Sequence, residues 1–211
     1  MAGMTSPNDR LDDNGILPED RVRAEIYAVL GNLFYHPPSK SMLNVIANGC
    51  GICNDDAAGL CRAWQALRQA AAVARAEEVK DEFDAAFIGT GRQPVMLYAS
   101  FYLTGFLNER PLAQLRDELA KMGLARGAGA HETEDHVSAL CDAMRFLIAG
   151  NDGVPPAALD AQRSFFRRYI KPCYAQLCDA VAKAAETRFY KHVADFARAF
   201  FEVEDQAFDI T

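Results

Sequence analysis

From residue 18 onward the apolar positions recur at helical spacing. Val22, Ile26, Val29, Leu30 and Leu33 share one face of a segment opened by Pro18, Glu19 and Asp20 and closed by His36-Pro37-Pro38, which predicts a first helix. A short helix is expected from Ser39 to Asn48, ended by Gly49. A longer Ala-rich one follows over Asp55–Ala76, with Leu60, Trp64 and Leu67 on its apolar face. A fourth helix, Glu77–Ile88, stops at Gly89. The pattern resumes over Leu97–Asn108, then from Pro111 to Gly123 with Leu112, Leu115 and Leu119 inward. The cleanest stripe is Val137, Leu140, Cys141, Met144, Leu147 and Ile148, within a predicted helix Thr133–Ala149. Two C-terminal stretches complete the set. One runs from Ala157 to Ala185 with a kink at Lys171-Pro172. The other runs from Glu186 to Ala207 and buries Phe189, Val193, Phe196, Phe200 and Val203.

No segment reads as a strand and no repeat is visible, so the expected fold is all-α: a single-domain bundle of about nine or ten helices. Residues 1–17 read as a flexible N-terminal tail and 18–211 as the helical domain. Breaks fall at Gly89–Pro94, at the Gly-rich Arg126–Ala130, and at Gly150–Pro156. In Gly89-Thr90-Gly91-Arg92-Gln93-Pro94 the two glycines favour special backbone angles and Pro94 restricts Gln93.

Composition narrows the function. A chain of 211 residues that is 50% hydrophobic buries a substantial core without disulfides or metal. Its net charge of −7 opposes nonspecific nucleic-acid binding and makes a cationic peptide the natural charged partner. Asp9, Arg10, Asp12 and Asp13 interrupt any secretory segment, and the longest charge-free run, Gln93–Asn108, is too short to span a membrane. These features predict a soluble, cytoplasmic protein. Cys50, Cys53, Cys61, Cys141, Cys173 and Cys178 are expected to be reduced thiols. The Cys50-x-x-Cys53 spacing lacks both the second ligand pair of a zinc site and the preceding strand of a thioredoxin-like motif.

The chemistry-bearing candidates are few. Gly89 and Gly91 invite a phosphate-binding reading, but the loop lies between helices and matches neither a Walker nor a dinucleotide motif. It is expected to be a helix-to-helix turn. Glu132, Glu134 and Asp135 either complement the helix dipole at the start of the Thr133 helix or, with His136, face a groove. His36, His131, His136 and His192 do not form the Glu-x-x-His pairs of a di-metal bundle. No nucleophile motif is present, and Ser100 reads as a small packing residue. No enzyme, metal or cofactor is predicted. Tyr98 and Tyr102 carry hydroxyls that need partners, and either one at a groove edge suits peptide binding.

Several of these pieces together resemble the TorD/DmsD-like chaperones of molybdenum-containing redox enzymes. The resemblance rests on Glu82-Phe83-x-x-Ala86-Phe87, the following glycine loop, the segment from Pro94 to Tyr102, and Glu132, Glu134, Asp135 and His136, which match that family's Glu-Pro-x-Asp-His element. With Tyr27-x-x-Leu30-x-x-Leu33-Phe34 it extends from about Tyr27 to Phe208. Thr133 stands where the family has proline, a change that side-chain capping by threonine accommodates. The loop also departs from the family's GPG-like sequence, which leaves Gly89, Gly91, Arg92 and Pro94 without an assigned role. The resemblance implies an all-helical cytoplasmic chaperone that holds a molybdoenzyme precursor during cofactor insertion, gripping a twin-arginine leader or another apoenzyme segment. Glu132, Glu134, Asp135, His136, Tyr98 and Tyr102 would contact the client. The wording of Leu97–Arg116 is similar to a branch associated with formate dehydrogenases, which implies a formate dehydrogenase catalytic subunit as client. Helix exchange within the family implies a homodimer. A helical scaffold or regulatory protein, and a metal- or nucleotide-binding protein, are the alternatives.

Overall fold

A computed structural model describes residues 16–49, 58–89, 93–107, 110–124, 132–151 and 153–210. Among them the chain forms α1 (Pro18–Tyr35), α2 (Lys40–Asn48), α3 (Ala58–Val73), α4 (Ala76–Phe83), α5 (Ala99–Thr104), α6 (Arg110–Lys121), α7 (Val137–Ala149), α8 (Leu159–Phe165), α9 (Tyr174–Lys183) and α10 (Phe189–Ile210). Extended pairing in this part of the chain is confined to two isolated bridges. The result is one all-α domain, as the helical spacing predicts. No helix of the described residues is long and apolar enough to cross a membrane.

The core is built where α1, α7 and α10 meet. Tyr27, Leu30 and Phe34 of α1 are fully buried, and Tyr27 meets Phe200 of α10 edge-on at 4.9 Å. Gly31 permits the close approach of α1 to α7: a Cβ there would lie 3.4 Å from both the Cys141 Cβ and the Ser138 carbonyl oxygen. Trp64 of α3 packs on Phe196, one turn earlier in α10. Every residue of the predicted α7 stripe is buried. Burying side chains of this size stabilises the fold by roughly 1.5–3 kcal/mol each, before conformational entropy is counted.

Two polar arrangements tie helices that are distant in sequence. Arg23 of α1 donates to Glu204 of α10 through Nε at 2.6 Å and Nη2 at 2.9 Å, and the Tyr27 hydroxyl donates to the same carboxylate at 3.0 Å. Across the bundle, the Glu82 carboxylate of α4 accepts the backbone N–H groups of Arg188, Phe189 and Tyr190 at 2.7 to 3.0 Å. Those donors have no partner inside α10, so a side chain 106 positions or more away caps that helix.

Several predicted boundaries differ. The helix expected through Ile88 is α-helical only to Phe83 and continues as a π-helical turn, Asp84–Ile88, closed by the Gly89 N–H bonding the Asp84 carbonyl at 2.8 Å. The stretch expected as one kinked helix from Ala157 divides into α8, a second π-helical turn (Phe166–Ile170) and α9. α5 and α7 both begin later than expected, at Ala99 and Val137. Cys61 is disulfide-bonded, against the expectation of reduced thiols throughout. Cys141, Cys173 and Cys178 are free and buried, and burial pushes the Cys173 and Cys178 thiols up to about 12. Cys50 and Cys53, with most of the tail, lie outside the described residues.

Candidate functional site

Two helix starts are joined through main chain. Ala99 N–H donates to the Asp135 carbonyl at 2.9 Å and Val137 N–H to the Leu97 carbonyl at 2.8 Å, setting Tyr98 opposite His136 in an antiparallel bridge. Tyr98 and His136 are the N-cap residues of α5 and α7, and both have extended backbone. This pairing corrects the expected helix starts at Leu97 and Thr133, because residues held in an extended pair cannot also be helical.

The side chains complete the junction. Asp135 is only 3% exposed, and its Oδ2 accepts the Ser100 N–H at 3.2 Å together with the Ser100 hydroxyl. Its Oδ1 accepts the Thr133 hydroxyl at 2.6 Å. One buried carboxylate thus satisfies three donors, including a first-turn amide of α5, where the helix dipole favours negative charge. Ser100 is more than a small packing residue, and a hydroxyl in the first turn of a predicted helix is the signal that could have shown it. Thr133 serves Asp135, whereas the cap of α7 is His136.

His136 is 4% exposed. Its Nδ1 accepts the Ser138 N–H at 3.2 Å and lies 2.7 Å from the Ser138 hydroxyl. Nδ1 therefore carries no proton, and the ring is the Nε2–H tautomer. Burial pulls its pKa below the ordinary 6.5, outweighing the opposite influence of Glu132 and Asp135. A histidine kept neutral in this way contributes stability that is complete above about 6.5 and is lost as pH falls from there toward its lower folded-state value. His136→Asn retains a capping acceptor without the titration. Urea midpoints at pH about 7.5 and about 5.5 are expected to fall further apart in the wild type than in this variant. Equal differences would exclude His136 as the titrating group.

The remaining candidates divide between this junction and its surroundings. The half-buried Tyr98 donates its hydroxyl to Glu132 and stacks edge-on against His136 at 5.1 Å. Burial, followed by the Glu132 carboxylate, raises its pKa, so it remains a donor. Glu134, 16% exposed, pairs with Arg116 of α6, 48% exposed, at 2.8 Å. Arg116 was not expected here. Tyr102 points elsewhere, donating to the Met96 carbonyl at 2.7 Å. Gly89 closes the π-helical turn and Pro94 is exposed, while Gly91 and Arg92 lie outside the described residues. Among the described residues the junction thus gathers Tyr98, Glu132, Asp135 and His136, with Glu134 and Arg116 at its rim. The Ser138–His136 contact is a helix cap between buried groups, not a nucleophile and base open to a substrate.

An all-α bundle with an acidic, hydrogen-bonded junction between two helix starts defines the class. The chain matches the family described as nitrate reductase delta subunit over residues 53–179, well over half its length, and it belongs to that family, of the TorD/DmsD type. It is 34% identical over 111 residues to the chaperone protein TorD of Aliivibrio fischeri, covering 48% of this chain and 52% of that protein. With the chaperone protein TorD of Vibrio cholerae it shares 26% identity over 141 residues, 63% of each. The chain thus spans between about half and under two thirds of these curated relatives. A redox enzyme maturation protein from Archaeoglobus fulgidus has the same fold, with a TM-score of 0.54 at 18% identity over 87% of this chain and 93% of that one. These relatives are named as chaperones and a maturation protein, not as enzymes.

Proposed function

We propose that this protein is a redox-enzyme maturation chaperone that holds a molybdoenzyme catalytic-subunit precursor through the acidic rim of the α5–α7 junction. The observation that carries this reading is the pair of half-buried carboxylates, Glu132 on the Tyr98 hydroxyl and Glu134 on the Arg116 guanidinium, beside a junction held by Asp135 and His136. Carboxylates placed this way bind guanidinium groups strongly, because partial burial weakens solvent screening. Asp135 and His136 position the rim rather than touch the client. Formate dehydrogenase is the proposed client, the bound segment is a twin-arginine leader or another basic stretch of the apoenzyme, and the cytoplasm is the proposed place of action.

Co-purification from the native host followed by mass spectrometry is expected to recover a molybdoenzyme catalytic subunit. A labelled peptide with two adjacent arginines is expected to bind the wild type and to lose about tenfold in affinity with Glu132→Gln and Glu134→Gln combined. Recovery of a stable partner unrelated to redox enzymes, with no peptide binding, would favour a scaffold instead.

A further inference from the structure

Three buried side-chain atoms among the described residues have no hydrogen-bond partner, and one of them is an acceptor, Oε1 of Gln162 in α8. Gln162 is 5% exposed. Its Nε2 donates to the Ala157 carbonyl at 3.0 Å, which fixes which amide atom is the oxygen, since that carbonyl needs a donor. A buried oxygen without a donor is uncommon in a folded protein and calls for one. Gln162 lines a cleft of about 600 Å³ between the start of α1, the end of α10 and the segment that leads into α8. That volume suits a small organic molecule. Leu17, Ile148, Leu159 and Phe208 supply apolar wall, and no residue is shared with the α5–α7 junction.

Charge narrows the ligand. Glu19 and Asp20 line the cleft, and Arg23 is the one cation beside them. All three guanidinium nitrogens of Arg23 are engaged, Nε and Nη2 by Glu204 and Nη1 by Asp20, and the group lies 5.5 Å over the Phe208 ring. Glu19 is exposed and has no ion pair among the described residues. The helix dipole of α1 accounts for the two acids without a ligand, but it does not account for the Gln162 oxygen. What the cleft leaves unmet is therefore an acceptor, a negative charge and apolar wall. An anion would meet repulsion at Glu19, and a wholly apolar molecule would leave the oxygen unpaired.

We propose that this cleft binds a small primary ammonium ion carried on an apolar stem. An N–H of the ammonium donates to Gln162 Oε1 within the field of Glu19 and Asp20, and the stem covers Leu159 and Phe208. The site lies apart from the proposed client surface and does not depend on that reading.

The test titrates the full chain, labelled with ¹³C at isoleucine methyls, with hexylammonium, hexanol and hexanoate, which share one stem. Hexylammonium is expected to shift the Ile148 methyl resonance saturably, and hexanoate to bind at least about tenfold more weakly. Gln162→Leu is expected to weaken hexylammonium about tenfold, the scale of one hydrogen bond to a charged group. Glu19→Gln, at an exposed position, is expected to melt with the wild type, to weaken hexylammonium about threefold and to leave hexanol unchanged. No saturable shift at Ile148 overturns the proposal, as does hexanoate binding as tightly as hexylammonium. Wild-type affinity for hexylammonium in a folded Gln162→Leu also overturns it, because the oxygen is then served by solvent. Should Gln162→Leu fail to fold, equal weakening of hexylammonium and hexanol by Glu19→Gln, or of neither, overturns the proposal on its own.

Discussion

Replacing Asp135 with alanine is expected to lower stability by about 2–4 kcal/mol, read as a shift of the urea midpoint at neutral pH. The loss follows from three donors stranded together. The Ser100 hydroxyl and N–H and the Thr133 hydroxyl all end on this one carboxylate, and neither Asp135 nor Ser100 has appreciable access to water. Asp135→Asn keeps one acceptor oxygen, and hydroxyls rotate to accept from its amide, so a smaller loss is expected from that variant. An alanine variant as stable as the wild type would show that the junction is not held by this carboxylate. It follows that substitutions at Asp135 report on folding, and that client binding is better probed at Glu132 and Glu134, which lie nearer the surface.

A loss of about 3 kcal/mol is expected from Glu204→Ala, through a different imbalance. The alanine leaves the Tyr27 hydroxyl buried without its acceptor and leaves Arg23 with Asp20 alone, at 2.6 Å. Breaking a buried pair costs more than removing it, because the surviving charge stays desolvated. The double variant Arg23→Met with Glu204→Leu is therefore expected to be more stable than Glu204→Ala alone. Thermal or urea denaturation of the three proteins decides the matter. A double variant no more stable than Glu204→Ala would mean that the stranded arginine charge is not the source of the loss.

Much of the fold was legible because burial in helices is periodic. The stripes on α1, α7 and α10 follow from residue spacing, and proline and glycine mark many of the breaks. What escaped depends on partners far away in sequence. Nothing near Thr133 says that Leu97 to Ala99 will pair with Asp135 to Val137 and delay both helices. Tyr98 and Tyr102 are four positions apart and would share a face if both were helical. Tyr98 instead lies in the extended pair and reaches Glu132, while Tyr102 turns to its own chain at Met96. The cluster Glu132 to His136 was recognisable as a unit, but its division into two buried residues and two nearer the surface was not, because burial at a helix start depends on what packs over it. The Arg116 partner of Glu134 was hidden for the same reason.

Glu82 was singled out as part of a family-like pattern, with no physical role attached. Its carboxylate closes the first turn of α10, and that has a consequence for how the molecule opens. Helix ends ordinarily fray first, at little free-energy cost, because their terminal amides are bound to nothing but water. The leading end of α10 is instead clasped by α4, so it loosens only when the two helices part. Local opening of the last helix is thereby confined to its trailing turns, and its leading turn melts with the domain as a whole.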